Sequence, residues 1–129
     1  AAARGGDARR YPWGDDWRDD HAATGADQDL RGWRRSVPVG CYPAGAAPCG
    51  ALDMVGNIDE WTADIWRSYP GAAAPSIDAE QRVLRGGAWD ADRVQVRCAA
   101  RNGYHDDSFI IEGGLRVMAP LAPAPISDN

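Results

Sequence analysis

Lysine is missing from this sequence, and all 14 of its basic residues are arginine. Arginine presents a planar fork of donors that grips carboxylates bidentately, so some of the arginines are expected to be structural partners for the 19 acids. Surplus positive charge is missing too: the net charge is −5 with a pI near 4.8. That excludes the clustered cation needed to hold nucleic-acid phosphates. No apolar run approaches the roughly eighteen residues of a membrane span, and the opening AAARGGDARR has no apolar signal core, so neither a membrane nor a signal segment is expected and the compartment stays open. Cysteine is scarce and lacks the CxxC spacing. Cys41 and Cys49 could pair across the intervening loop, or all three thiols, Cys98 included, could sit separately in the core. Continuous helical periodicity is nearly absent as well.

What is present suits one domain, since 129 residues can bury roughly two thirds of the unfolded chain's surface. The informative centre is Val83 to Met118, with Gly86-Gly87 and Gly113-Gly114 each beside an apolar run that contains an arginine. Paired glycines at strand ends mark tight bends or bulges. Two strands are therefore expected to bracket one long irregular excursion, Asp90 to Glu112, and a loop of that length in a compact domain is usually a working surface.

Upstream, Tyr11-Pro12-Trp13-Gly14 and Trp17 are expected to anchor a loop by packing. Residues 22–36 read as a loop, Val37-Pro38-Val39-Gly40 as a short edge strand, and 67–82 as a variable surface loop. In ALDMVGNIDEWTADIW, Gly56-Asn57 signals a turn ahead of a tryptophan-rich strand or short helix. Asn57, the Ile58 carbonyl and Glu60 put oxygen donors close together on that turn, a pattern that suits Ca²⁺ or simply an Asn turn with an exposed Glu60. The tail from Ala119 (119–129) is Pro/Ala-rich, without a core of its own. The expected architecture is loop-dominated, around a small antiparallel sheet.

These segments also carry a resemblance. RRYPWGDDW, ATG, PVGCYPAGAAPCGALDMVGNIDEWTADIW, RVLRGGAW, RCAAR and GGLRV, in this order, resemble the C-terminal half of a formylglycine-generating-enzyme/sulfatase-modifying-factor domain, an α+β variant of the C-type lectin fold. The family forms GN-x-WEW, RGGSW and GFRV stand here as GNIDEW, RGGAW and GLRV. The resemblance covers residues 1–118 and implies that the first strand and helices of a complete domain come from another chain or were removed. It also implies a structural Ca²⁺ at Asn57, Ile58 and Glu60, while Ala23 stands where a second family calcium site has Asn.

Three kinds of relative suggest three activities, and fold does not choose among them. Formylglycine-generating enzymes hold copper with two cysteines after RGGS; here the first position falls at about Ala91 and the second has no counterpart, so no copper is expected. Ergothioneine-pathway sulfoxide synthases close such a domain over iron held by histidines of a separate helical domain, so no iron is expected in this chain alone. Variable proteins of diversity-generating retroelements use the stretch from RGGSW to GFRV to bind ligands without catalysis. On that pattern a protein or small ligand is expected at the loop surface 89–112, through Trp89, Asp90, Asp92, Tyr104, His105, Ser108, Phe109, Ile110, Ile111 and Glu112. Phe109 to Ile111 is either buried by its own loop or an exposed patch for a partner. The alternative is that the chain forms part of an oxygenase or modifying enzyme whose catalytic groups lie elsewhere.

Overall fold

A computed structural model describes residues 2–25, 32, 34–73 and 77–119. Strand β1 (Asp59–Arg67) follows the Gly56-Asn57 turn. Its Trp61, Thr62, Ile65 and Trp66 are the β-branched and aromatic types that fit a pleated, half-buried surface. It pairs antiparallel with β2 (Ile77–Arg85), in a register of Trp61 to Leu84 and Ile65 to Arg82 that shifts between these pairs and again at Trp66. β3 (Asn102–His105) adds antiparallel to β2, and the two-residue β4 (Gly113–Gly114) lies parallel to β1, giving the order β3-β2-β1-β4.

Several expectations change here. The sheet is mixed, because the chain returns after the 90–112 excursion running in the same direction as β1. The excursion itself contains β3, whose pairs run from Gln81–His105 to Leu84–Asn102. Much of the supposed surface loop 67–82 is β2: its Asp, Glu, Gln and Arg hid the strand, yet Val83 and Leu84 are buried. Val37 to Val39 form no strand; the Asn57 side chain takes both backbone groups of Val37, and Val39 is exposed. Residues 26–31 and 33 of the expected loop over 22–36, and all of the tail beyond Ala119, lie outside the described residues.

The sheet is not where most of the core sits. Tyr11, Ala22, Val55, Ala91 and Val96 cluster, with Trp13, Trp17 and Cys98 packed against them. Tyr11 stacks on Trp13 at 5.4 Å and meets Trp17 edge-on at 5.1 Å, which is the packing role expected for YPWGDDW. All three cysteines are free; Cys41 and Cys49 are exposed rather than buried, and Cys98 is half-buried.

One turn fastens these parts together. Gly56 and Asn57 both take positive φ, 76° and 69°, in the left-handed region that glycine and asparagine tolerate best. In that pose Gly56 N–H donates to Gly86 O (2.9 Å) and Asn57 N–H to Ala23 O (2.8 Å). The Asn57 carbonyl accepts from Trp89 N–H (3.0 Å). Its side-chain oxygen accepts from Val37 N–H (2.9 Å), and its amide donates to Val37 O (3.1 Å). Asn57 thus joins three chain segments, and the rest of the fold hangs the loop 88–112 from it. Among the described residues no helix is long and apolar enough to cross a membrane.

Candidate functional site

The excursion after Gly87 is held at both ends and stiffened between. At its start Trp89 is tied to Asn57, and Ala91 accepts from Gly25 N–H (3.0 Å). Asp92 then builds a tight turn: its carboxylate accepts from Val94 N–H (2.7 Å) and Gln95 N–H (2.9 Å), which drives Val96 into the core. At its end Glu112 O accepts from Asp59 N–H (2.8 Å), docking the chain on β1.

Between these anchors lies a polar pocket of about 170 Å³, lined by Asp59, Asp90, Gln95, Asn102, Tyr104 and Glu112, with two alanines. Asp90, Tyr104 and Glu112 were expected at the site, and the fold brings them together. Trp89, half-buried, and Asp92 act on the loop's shape instead. His105 points its ring toward Glu80 (3.9 Å), and Ser108 is half-buried with its N–H given to His105 O. The apolar run divides. Phe109 is 91% exposed and Ile111 71%, whereas Ile110 is half-buried against Gly113, where a Cβ would meet it.

Asp59, Gln95 and Asn102 were missed by the sequence reading. Asp59 did leave a signal: it stands where the GN-x-WEW form has tryptophan, a carboxylate at a position expected to be apolar. It is 8% exposed and accepts from Gly87 N–H (2.9 Å) and Asn102 Nδ2 (3.1 Å), so it ties both ends of the loop's first half to β1. Burial pushes its carboxyl above the ordinary range, the charges of Asp90 and Glu112 add to this, and the two hydrogen bonds oppose it.

A carboxyl whose proton is held more tightly in the folded state contributes stability below its unfolded value of about 3.9, and that contribution is lost as pH rises through the folded value. Asp7, held down at about 2 by Arg9, acts with the opposite sign but equally in parent and variant. Urea unfolding of Asp59→Asn and parent across a pH series is therefore expected to show the gap between them moving in favour of the variant above about pH 4. Parallel profiles would mean that Asp59 is not perturbed by burial.

Two of the three expected calcium donors, Asn57 and Glu60, have side-chain partners within the fold. Both atoms of the Asn57 amide are engaged by Val37. Both Glu60 oxygens accept from Arg116 Nε (2.8 and 3.0 Å), and Arg116 also donates to Leu52 O and Asp53 O. That bidentate pair raises the Arg116 pKa. A cation at Asn57, Ile58 and Glu60 would share the Asn57 and Glu60 oxygens with Val37 and Arg116.

Comparison with known proteins puts this architecture in context. The sulfatase-modifying factor enzyme 1-like domain model matches residues 1–121. The chain belongs to this family. Among curated members, the hercynine oxygenase of Mycobacterium tuberculosis is 38% identical over 120 residues, covering 87% of this chain and 27% of that protein. The formylglycine-generating enzyme of Bos taurus is 29% identical, covering 95% and 37%. Of solved structures, PvdO from Pseudomonas aeruginosa superposes with a TM-score of 0.69 at 28% identity, covering 88% of this chain and 46% of that one. Treponema denticola variable protein 1 superposes with a TM-score of 0.67 at 23% identity, covering 88% and 42%. The chain thus spans less than half the length of each of these relatives. Its fold is the C-type lectin-like one of the sulfatase-modifying factor family, as the motif order implied.

Proposed function

We propose that this sulfatase-modifying factor domain is a non-catalytic binding module that takes a protein or small ligand through the loop surface 89–112. The observation that carries the reading is the division of labour along that loop. Trp89, Asp92, Val96 and the Glu112 carbonyl are spent on holding it, while Phe109 and Ile111 stand in solvent, three and one residues from the pocket-lining Glu112. Large apolar side chains on a fastened loop cost solvation in the free protein, and they regain about 25 cal/mol per Å² when a partner covers them.

The cysteine chemistry supports the same reading. Cys98, half-buried, has its thiol pKa pushed up by burial, and its N–H is spent on Arg10 O. A thiol biased toward its protonated form is a poor nucleophile and a poor soft-metal ligand.

A second reading, that the chain is part of a larger oxygenase with catalytic groups elsewhere, is favoured by the 38% identity to hercynine oxygenase. One experiment addresses both. A photo-crosslinking residue replaces the exposed Tyr104 and, as a control, the exposed Val39, in the full-length protein in its own cells. Crosslinking to a discrete partner is expected from position 104 alone, and it should fall about tenfold or more in the Phe109→Ala/Ile111→Ala background. Equal capture from both positions, or stoichiometric iron or copper in the purified full-length protein, would go against the binding reading.

A further inference from the structure

We propose that the chain has a second, separate site, which takes a small molecule bearing a carboxylate or phosphate on an apolar body. The site is a pocket of about 500 Å³ at the far end of β1, formed by the strand's last residues, the turn from Ser68 to Gly71, Val83 and Arg85 of β2, and Arg101 just before β3. Its volume is that of ordinary small-molecule sites. Its chemistry is opposite to that of the molecule as a whole: in a chain of net charge −5, three arginines (Arg67, Arg85 and Arg101) face it, against one acid, Asp64.

The way these arginines are held matters more than their number. Arg101 lays its guanidinium carbon 3.8 Å from the Tyr69 ring centre and 4.5 Å from that of Trp66. Seated over the rings and with no hydrogen bond to another described residue, the guanidinium keeps N–H groups free to meet an oxyanion. Arg85 is aimed by one nitrogen, Nη1, which donates to Ala99 O (3.2 Å) and Ala100 O (2.8 Å). Its Nε and Nη2 make no hydrogen bond to another described residue. The Tyr69 hydroxyl donates to the same Ala99 carbonyl (3.3 Å), so ring and guanidinium are positioned together. Among the described residues neither Arg67 nor Arg101 has a carboxylate within ion-pairing distance, although Arg9, Arg82, Arg93 and Arg116 all do. Oriented guanidinium groups beside an aromatic ring and the Val83 and Ile65 side chains make a fork for an oxyanion, with an apolar floor for what carries it. This site uses none of the residues proposed for partner binding, so either can fail alone.

The test is calorimetric titration of the 129-residue chain with N-acetylphenylalanine, phenyl phosphate and the neutral N-acetylphenylalaninamide. Saturable binding of one or both anions is expected, about tenfold or more tighter than the amide, and the tighter anion identifies the source. Arg67→Gln and Arg101→Gln should each weaken the bound anion several-fold. Arg101 also braces Tyr69, so Arg67, whose side chain makes no hydrogen bond or ion pair to another described residue, is the deciding variant if Arg101→Gln loosens the turn. No saturation by either anion, an amide that binds as well as the acids, or anion binding unchanged in Arg67→Gln overturns the assignment.

Discussion

Replacing Asn57 with alanine is expected to remove about 3 kcal/mol of unfolding free energy, a large part of the 5–15 kcal/mol that a domain of this kind has. Two losses add. The side chain makes both hydrogen bonds of the Val37 backbone, and deleting it leaves a donor and an acceptor to find water in a half-closed setting, at about 1 kcal/mol or more each. Alanine must also adopt the 69° φ that asparagine tolerates, at about a further 1 kcal/mol. Asn57→Asp keeps the acceptor and the backbone tolerance, so it should cost less than half as much. Urea denaturation of the three proteins checks the order, and an alanine variant within about 1 kcal/mol of the parent would show that the turn is not the fastening point.

Gly87→Ala is expected to cost a similar amount, about 3 kcal/mol, by a different route. The residue has a φ of 72°, and an added Cβ would lie 2.7 Å from Val96 Cγ1 and 3.2 Å from Val96 Cα. Val96 is fully buried, so it cannot swing into solvent to make room. The shift would instead pass to Gly87 N–H and its bond to Asp59, loosening the pocket wall. Thermal unfolding should show the loss. Fluorescence from Trp89, two residues on, should change with it, and a variant as stable as the parent would mean that the RGG bend has slack the geometry denies.

The same bend shows why parts of the molecule could be read from the sequence. Gly86-Gly87 and Gly56-Asn57 are local demands on φ, and such demands are written in residue type, so both turns were legible. The aromatic packing of Tyr11, Trp13 and Trp17 was legible for a similar reason, since three large rings so close together must find each other or a partner. β2 was not, because among its described side chains only Val83 and Leu84 are buried and the polar residues before them give no period. Nor was the parallel pairing of Gly113-Gly114 with β1, which depends on a contact some fifty residues away and has no local signature.

At the site, the sequence marked Asp90, Tyr104 and Glu112 through their place in the loop. It could not separate Ile110, turned in against Gly113, from Phe109 and Ile111, turned out, because three consecutive apolar residues carry no phase. The bonds made by the expected calcium donors were hidden for a related reason. Their spacing is local, whereas the partners of Asn57 and Glu60, Val37 and Arg116, come from distant parts of the chain.

That a fixed framework carries an expendable, outward-facing surface is tested most directly by one measurement: the urea unfolding midpoint of the Phe109→Ala/Ile111→Ala variant. If these side chains belong to a partner's interface, removing both leaves the unfolding free energy within about 0.5 kcal/mol of the parent. A loss of about 2 kcal/mol or more would show that they are buried by their own fold, and the loop would then have no free surface to offer.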